Sequence, residues 1–357
     1  MLVKVPPLLM HPFIIFTLLF TLGLGTAFTF SSSHWLLAWI GLEINTLAIL
    51  PLIARKHHPR AVEATIKYFL IQATAAAIIL FASLTNAWLL GEWNISQLSH
   101  PLSSTLILLA LALKIGLAPV HFWLPEVLQG LDLITGLILS TWQKLAPFIL
   151  LNQIAPFLNS HLVISLGLIS TLIGGWGGLN QTQLRKILAY SSIAHFGWIV
   201  LIMQFAPSLA LLNLFLYVAI TSVAFLTLKD FNCTNLKDLA TSWTKSPSIA
   251  TIFTPLLLSL GGLPPLSGFI PKWLVIFEIV KQDLAGPATF AALSALLSLY
   301  YYLRLTYSTI LTSPPNTTTK STPWRLNPPQ KYLLLSSFTV LALGTLPLTP
   351  TILAWFV

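Results

Sequence analysis

The chain has 357 residues, of which 56% are hydrophobic and 8% charged, with a mean hydropathy of +0.84. Soluble domains carry about a quarter charged residues, so this composition excludes a soluble globular protein and defines an integral membrane protein. The net charge of +9 comes with no basic run longer than the mixed cluster from Arg55 to Arg60, so no nucleic-acid partner is expected. A single cysteine, Cys233, excludes an internal disulfide and a thiolate set for an iron–sulfur cluster. With no GxGxxG after a strand and no Walker sequence, no cofactor is expected in this chain.

Apolar runs of about 18 residues or more, separated by polar or Pro/Gly punctuation, mark transmembrane helices. Eleven such spans start near Met10, Ser33, Ala61, Leu102, Leu133, Leu162, Ile187, Ser208, Ile249, Ala285 and Lys331. Residues 1–9 read as an extension ahead of Met10, and residues 10–357 as one transmembrane domain. The expected fold is therefore an all-α polytopic membrane protein. Placing the basic residues tests the count. The N-terminus and the even-numbered loops hold Lys4, Arg55, Lys56, Arg60, Arg185, Lys186, Lys229, Lys237, Lys245, Lys320, Arg325 and Lys331, whereas the odd loops hold only Lys281. That asymmetry follows the positive-inside rule, with the N-terminus inside and the C-terminus outside.

Along the chain, the second span puts Glu43 about 15 Å from either end, too deep to reach the surface. The third begins with Glu63 and Lys67, four apart on one helix face, which a surface ion pair explains. The fourth, LALALKIGLAPVHFWLPEVL, carries Lys114 and is broken by Gly116, Pro119 and Pro125, with His121 in the break. The fifth carries Lys144 ahead of Pro147. In the sixth, Gly174, Gly175, Gly177 and Gly178 indicate close helix approach. The seventh holds His195 near Ser191 and Ser192, and the eighth has no charged group before Lys229. The ninth, with Gly262, Pro264, Pro265 and Pro271, carries Lys272 and Glu278, the latter lining an exit or capping the interface. In the tenth, Arg304 can snorkel to the inner surface. A Pro/Thr-rich loop from Ser313 to Gln330 precedes the last span. Trp35, Trp88, Trp93, Trp243, Trp324 and Trp355 lie near span ends and read as interfacial anchors.

The two broken spans repeat one pattern. Gly116, Leu117, Pro119, Leu124 and Pro125 match Gly262, Leu263, Pro265, Ile270 and Pro271 at an offset of 146 residues. Five spans separate them, so the expected arrangement is an inverted repeat with two broken helices, the sequence pointer to a transporter's ion site. In hydrocarbon each carbonyl or amide freed by such a break must find a partner inside the protein. The helix dipole favours a cation at Lys114, which ends its half-helix, and opposes one at Lys272, which begins the second half of its own.

Taken singly, an intramembrane charge is as well explained by a structural ion pair. Glu43, Lys114, Lys144 and Lys272 form a different case, because three lysines and one acid at mid-depth cannot be neutralised by pairing. Buried lysines can exist in either protonation state, which is what a proton relay requires. His121, in unwound backbone, fits a proton carrier between lysines, while His195 reads equally as a satisfied core histidine or a relay member.

KIGLAPVHFWLPEVLQGL, GGWGGLNQTQLRKILAYSSIAHFGW and GGLPPLSGFIPKW resemble the NADH dehydrogenase subunit 2 family, the mitochondrially encoded antiporter-like subunits of respiratory complex I, and are most similar to vertebrate, ray-finned fish forms. The likeness covers the chain from Met10 onward. It implies an antiporter-like fold of eleven helices and a proton-translocating role in the membrane arm of NADH:ubiquinone oxidoreductase. It also implies an axial path through Glu43, Lys114, Lys144 and Lys272 with His121 in the first break, and no redox centre in the chain itself. Expected partners are the other membrane-arm subunits, the lipid bilayer and protons. The expected location is the mitochondrial inner membrane, N-terminus toward the matrix and C-terminus toward the intermembrane space. The broken-helix motif also fits a cation/proton antiporter subunit, and buried charges alone also fit a structural scaffold without transport.

Overall fold

The computed structural model describes residues 11–54, 58–242, 246–310 and 332–356. The N-terminal extension, Arg55, Lys56, Trp243, Lys245, Lys331 and the loop from Ser313 to Gln330 lie outside the described residues, as does the side chain of Trp355.

The described residues are helical, with two isolated β-bridges and no strand. Each expected span corresponds to one helix or a pair of helices. In chain order these are α1 Pro12–Ser31, α2 Trp35–Ile53, α3 Pro59–Leu90, α4 Pro101–Ile115, α5 Trp123–Gly130, α6 Leu133–Ser140, α7 Trp142–Ile154, α8 Ser160–Gly178 and α9 Leu184–Ile202. There follow α10 Pro207–Phe231, a short α11 Leu236–Ala240, α12 Pro247–Gly261, α13 Phe269–Lys281, α14 Ala285–Ile310, α15 Leu333–Gly344 and α16 Thr349–Phe356. Seven of the described helices or helix pairs are long and apolar enough to cross a membrane unaided.

The sequence marks many of these starts. Pro12, Pro59, Pro101, Pro207 and Pro247 each sit in a first turn, where the missing amide leaves nothing unpaired. Histidine takes the usual place of Ser or Asp at three N-caps. The rings of His11, His34 and His58 accept from the amides of Phe13, Leu36 and Arg60 at 3.3, 3.2 and 3.3 Å.

The chain packs as two compact units, Met1–Leu162 and Val163–Val357. In the first, α2 and α3 are linked by more than packing. The loop before α2 pairs with the loop before α4, where Trp35 N donates to Trp93 O at 3.1 Å and Ile95 N to Ser33 O at 3.0 Å. Burial changes the reading of Trp35. It is fully buried and is no interfacial anchor, whereas Trp88 is 89% exposed as expected of one.

In the second unit the glycines of α8 do what small residues do in membranes. A Cβ at Gly174 would stand 2.5 Å from Ala194 N, so α8 and α9 touch backbone to backbone only because it has none. The polar segment after α10 is ordered by the N-cap of α11. The Asn235 side chain accepts from the backbone of Asp238, and Asp238 reciprocates to the amide of Asn235 at 3.1 Å. Arg304 does reach the surface, and there it donates to Leu179 O at 2.8 Å just past the end of α8, a cation placed where helix carbonyls are left over.

Candidate functional site

Both broken spans close in the same way. Gly116 and Gly262 hold φ of +84° and +81°, a left-handed conformation that costs a residue with a Cβ. The leucine that follows each completes the helix stop: Leu117 N donates to Ala112 O at 2.9 Å and Leu263 N to Leu258 O at 3.3 Å. The repeated Gly-Leu is therefore a helix terminator used twice. Pro119, Pro264 and Pro265 lie in the unwound stretches, which run from Gly116 to Phe122 and from Gly262 to Gly268. Pro125 and Pro271 do not. They occupy the third positions of α5 and α13, where a first-turn amide has no helical partner to lose.

The carbonyls exposed by the breaks find different partners. At the first break Trp123 Nε1 donates to Leu113 O at 3.0 Å and Gln72 Nε2 to Lys114 O at 3.4 Å. At the second, Lys272 itself turns back and donates to Gly261 O at 2.8 Å. The dipole expectation for Lys272 is corrected by this geometry. Its Cα lies in the first turn of α13, but its ammonium end sits at the negative C-terminus of α12, where a cation is welcome.

A fifth-span feature escaped the sequence reading. The span is interrupted at Thr141, which separates α6 from α7 with φ −109° and ψ −68°. Pro147, a turn and a half later, cannot donate to Gln143 O and crowds that turn, which loosens the helix ahead of it. Lys144 thus lies in the first turn of a half-helix, as Lys272 does.

The first unit brings Lys114 and Lys144 together. They line one small cavity with Asn45, Thr46, Tyr68, Gln72, Gln143 and Trp123. Lys114 is 6% and Lys144 2% exposed. Lys114 Nζ makes no hydrogen bond and no ion pair among the described residues. Glu43 is half-buried on α2 and accepts at 2.8 Å from Thr46 Oγ1, a residue that lines the same cavity. His121 is buried in the break but does not line this cavity; its Nδ1 lies 3.2 Å from Pro119 O and its ring packs on Phe122 at 4.3 Å.

The second unit places His195 with Lys272. Both line a cavity that also holds Asn213, Tyr217 and Pro271, and the rings of His195 and Tyr217 are 5.7 Å apart. Ser191 and Ser192 donate to carbonyls of their own helix, both at 2.7 Å, and Ser192 also hydrogen-bonds Tyr217, which lines that cavity. Glu278 stays at the surface, accepting from Lys281 at 3.1 Å. The polar residues Asn45, Tyr68, Gln72, Asn213 and Tyr217 were missed in the sequence because a lone uncharged polar residue in an apolar helix carries no periodic signal. Glu126 was missed as well. It receives Lys67 at 2.7 Å, the same distance as Glu63, and so ties α5 to α3.

Broken helices with buried lysines at the breaks define the class of antiporter-like, ion-translocating membrane subunits. The profile described as NADH:quinone oxidoreductase/Mrp antiporter, TM matches residues 32–298, and that of NADH dehydrogenase subunit 2 C-terminus matches residues 299–353. NADH-ubiquinone oxidoreductase chain 2 of Salmo salar is 68% identical over 343 residues, covering 96% of this chain and 98% of the relative. That of Oncorhynchus mykiss is 68% identical over 345 residues, 97% and 99% of the two chains. Among solved structures, a chain of respiratory complex I from Thermus thermophilus with bound aureothin superposes with a TM-score of 0.85 at 30% identity, over 96% of this chain and 80% of that one. A chain of the Mrp complex from Dietzia shares the fold, with a TM-score of 0.81 at 17% identity over 94% and 75% of the two chains. The chain belongs to the NADH-ubiquinone oxidoreductase chain 2 family. It is a multi-pass, proton-translocating subunit of the membrane arm of complex I.

Proposed function

We propose that protons cross this subunit through Glu43, Lys114 and Lys144 in its first unit and Lys272 and His195 in its second, with His121 as a carrier at the first break. The observation that carries this reading is the shared cavity of Lys114 and Lys144, two lysines held deep in the protein without enough acid to neutralise them. Two ammonium groups facing one small polar cavity repel, so a proton on one opposes a proton on the other. Glu43 adds a control. It is linked to the cavity through Thr46, so its charge, when present, favours a cation there, and when it is neutral that support is gone. A change of charge at one end of the row is thereby passed along it. The work required is modest, since moving one charge against 100 mV takes about 2.3 kcal/mol, within reach of a few buried charge–charge interactions.

In the second unit, Lys272 has the carbonyl of Gly261 as its resting partner and shares its cavity with His195. The hydrogen bond to a neutral carbonyl holds the side chain in place and persists in either protonation state, because the amine also donates. Glu278 fits the capping half of its expected role, as a surface partner of Lys281.

We further infer that redox chemistry lies in other subunits, which one cysteine and the lack of nucleotide motifs support. Family membership supports the mitochondrial inner membrane, and the lysine and arginine asymmetry supports an N-terminus toward the matrix and a C-terminus toward the intermembrane space. The lipid-facing surface of α1, with Phe13, Phe16 and Phe20 all more than half exposed, supports direct bilayer contact. The test is Glu43→Gln in assembled, reconstituted complex. Reduced proton transport with intact assembly supports the relay; unchanged transport and unchanged response to the membrane potential refutes it.

A further inference from the structure

We propose that the groove between α8 and α14 is a binding site for one phospholipid, whose anionic phosphate diester is held by Arg304 and whose acyl chain lies beside Trp176 and Leu296. The site uses none of the relay residues, so it stands or falls independently of the proton path.

The two helices meet closely. A Cβ at Gly175 would stand 3.0 Å from Leu297 Cβ, and one at Gly178 would stand 2.8 Å from Tyr301 Cδ1. Beside this contact, Leu293, Leu296, Tyr300, Arg304 and Tyr307 recur along α14 at spacings of three and four, so they share one helix face. All five are exposed, the four uncharged ones by more than half. The facing flank on α8 is Trp176, also more than half exposed and one turn before Leu179. Arg304 Nη1 donates to Leu179 O at 2.8 Å, which puts the two flanks on the same side of the helix pair. From Leu293 to Arg304 the stripe rises about 16 Å, close to the hydrocarbon depth of one leaflet. An apolar track of acyl-chain length therefore ends at a cation.

Charge decides what covers the groove. Arg304 makes no ion pair among the described residues. A guanidinium carries five donors, and the bond to Leu179 O is made by Nη1 alone, so a bidentate edge is left for a planar or tetrahedral anion. That bond also fixes the side chain in advance, which lowers the entropy cost of binding. Tyr300 and Tyr307 flank the arginine one turn to either side, amphipathic rings of the kind that sit at the headgroup level. Arg185 and Lys186, in the first turn of α9, add positive charge at the same end of the helices. An apolar helix from another subunit would fill the track and leave the guanidinium without a counterion. A phospholipid supplies the chain and the anion at the separation the groove presents.

The test has two readouts on the assembled complex. The first is a cryo-EM map in nanodiscs of phosphatidylcholine and phosphatidylglycerol. We expect headgroup density within hydrogen-bond distance of the Arg304 guanidinium, continuous with chain density beside Trp176 and Leu296; a bare groove, or one filled by a helix of another subunit, overturns the proposal. The second is photo-crosslinking with a diazirine-bearing phosphatidylglycerol, read by mass spectrometry of the peptides that carry Trp176 and Leu296. Arg304→Gln keeps a donor for Leu179 O and removes the charge. We expect labelling to fall about tenfold in that variant, the factor one charge-assisted hydrogen bond is worth, and to be partly retained in Arg304→Lys. Labelling of α1 at Phe13, Phe16 and Phe20 should be the same in all forms, since that surface meets bulk lipid. Equal labelling of the groove in parent and glutamine variant overturns the proposal. So does loss of labelling when inorganic phosphate is added in excess, because the site would then be one for a free anion.

Discussion

Lys272 Nζ donates to Gly261 O at 2.8 Å, so the lysine that opens one half-helix satisfies the carbonyl left over at the end of the other. The contact is possible because Gly262, between them in sequence, has no side chain. A Cβ there would stand 2.9 Å from Lys272 Cδ and 3.0 Å from its Nζ. Break and lysine are therefore one structural unit, and a change in either is a change in both.

Gly262→Ala is accordingly expected to impair proton transport, although glycine carries no proton. The substitution forces a Cβ into a left-handed conformation, at about 1–2 kcal/mol, and pushes the lysine off its carbonyl. Gly116→Ala carries the same backbone cost but meets Leu124 Cδ1 at 2.9 Å, an apolar neighbour. Measured side by side, Gly262→Ala should lower the proton-to-NADH ratio more than Gly116→Ala at matched assembly. Equal ratios would show that Lys272 does not depend on its position at the break.

The Lys67–Glu126 pair is expected to matter little for stability despite its 2.7 Å length. Its side chains are 40% and 53% exposed, and exposed pairs contribute about 0–1 kcal/mol. Glu126→Gln should leave complex assembly within error of the parent, with any effect shrinking as salt is raised. A large assembly defect at high salt would mean that the pair is shielded in the complex.

Close approach of α8 and α9 gives a third expectation. Gly174→Val places two methyl groups where Ala194 backbone already stands, and overpacking of this kind costs about 1–3 kcal/mol. Thermal stability of the complex's membrane arm, followed by the loss of this subunit on heating, should fall. An unchanged profile would mean the two helices can separate without cost.

Much of this arrangement was legible in the sequence because its signals are strong physical ones. A run of apolar residues long enough to span a bilayer must be helical, a Gly-Leu followed by proline must stop a helix, and a lysine in hydrocarbon is too costly to be incidental. These gave the spans, both breaks and the three lysines. Other features were hidden for equally physical reasons. Trp35 looked like an anchor because it sits at a helix start, yet its side chain is fully buried and its amide is tied to Trp93 O across two loops far apart in sequence. The interruption at Thr141 left no mark in the sequence, because neither Thr141 nor its neighbours are helix breakers. The direction of Lys272 could not be read from its position, since a long side chain can carry its charge to the other side of a break. The glutamines of the first cavity gave no signal at all until two helices from distant parts of the chain were brought together.

The most direct test of the relay is the number of protons moved per NADH oxidised in assembled, reconstituted complex carrying Lys144→Met. Methionine keeps much of the side chain's length and apolar stem in a site that is 2% exposed, and removes only the group that can carry a proton. The relay requires that assembly persists while proton transport or coupled turnover falls. A normal ratio with normal turnover would contradict it, and would leave the buried lysines as structural features of the breaks.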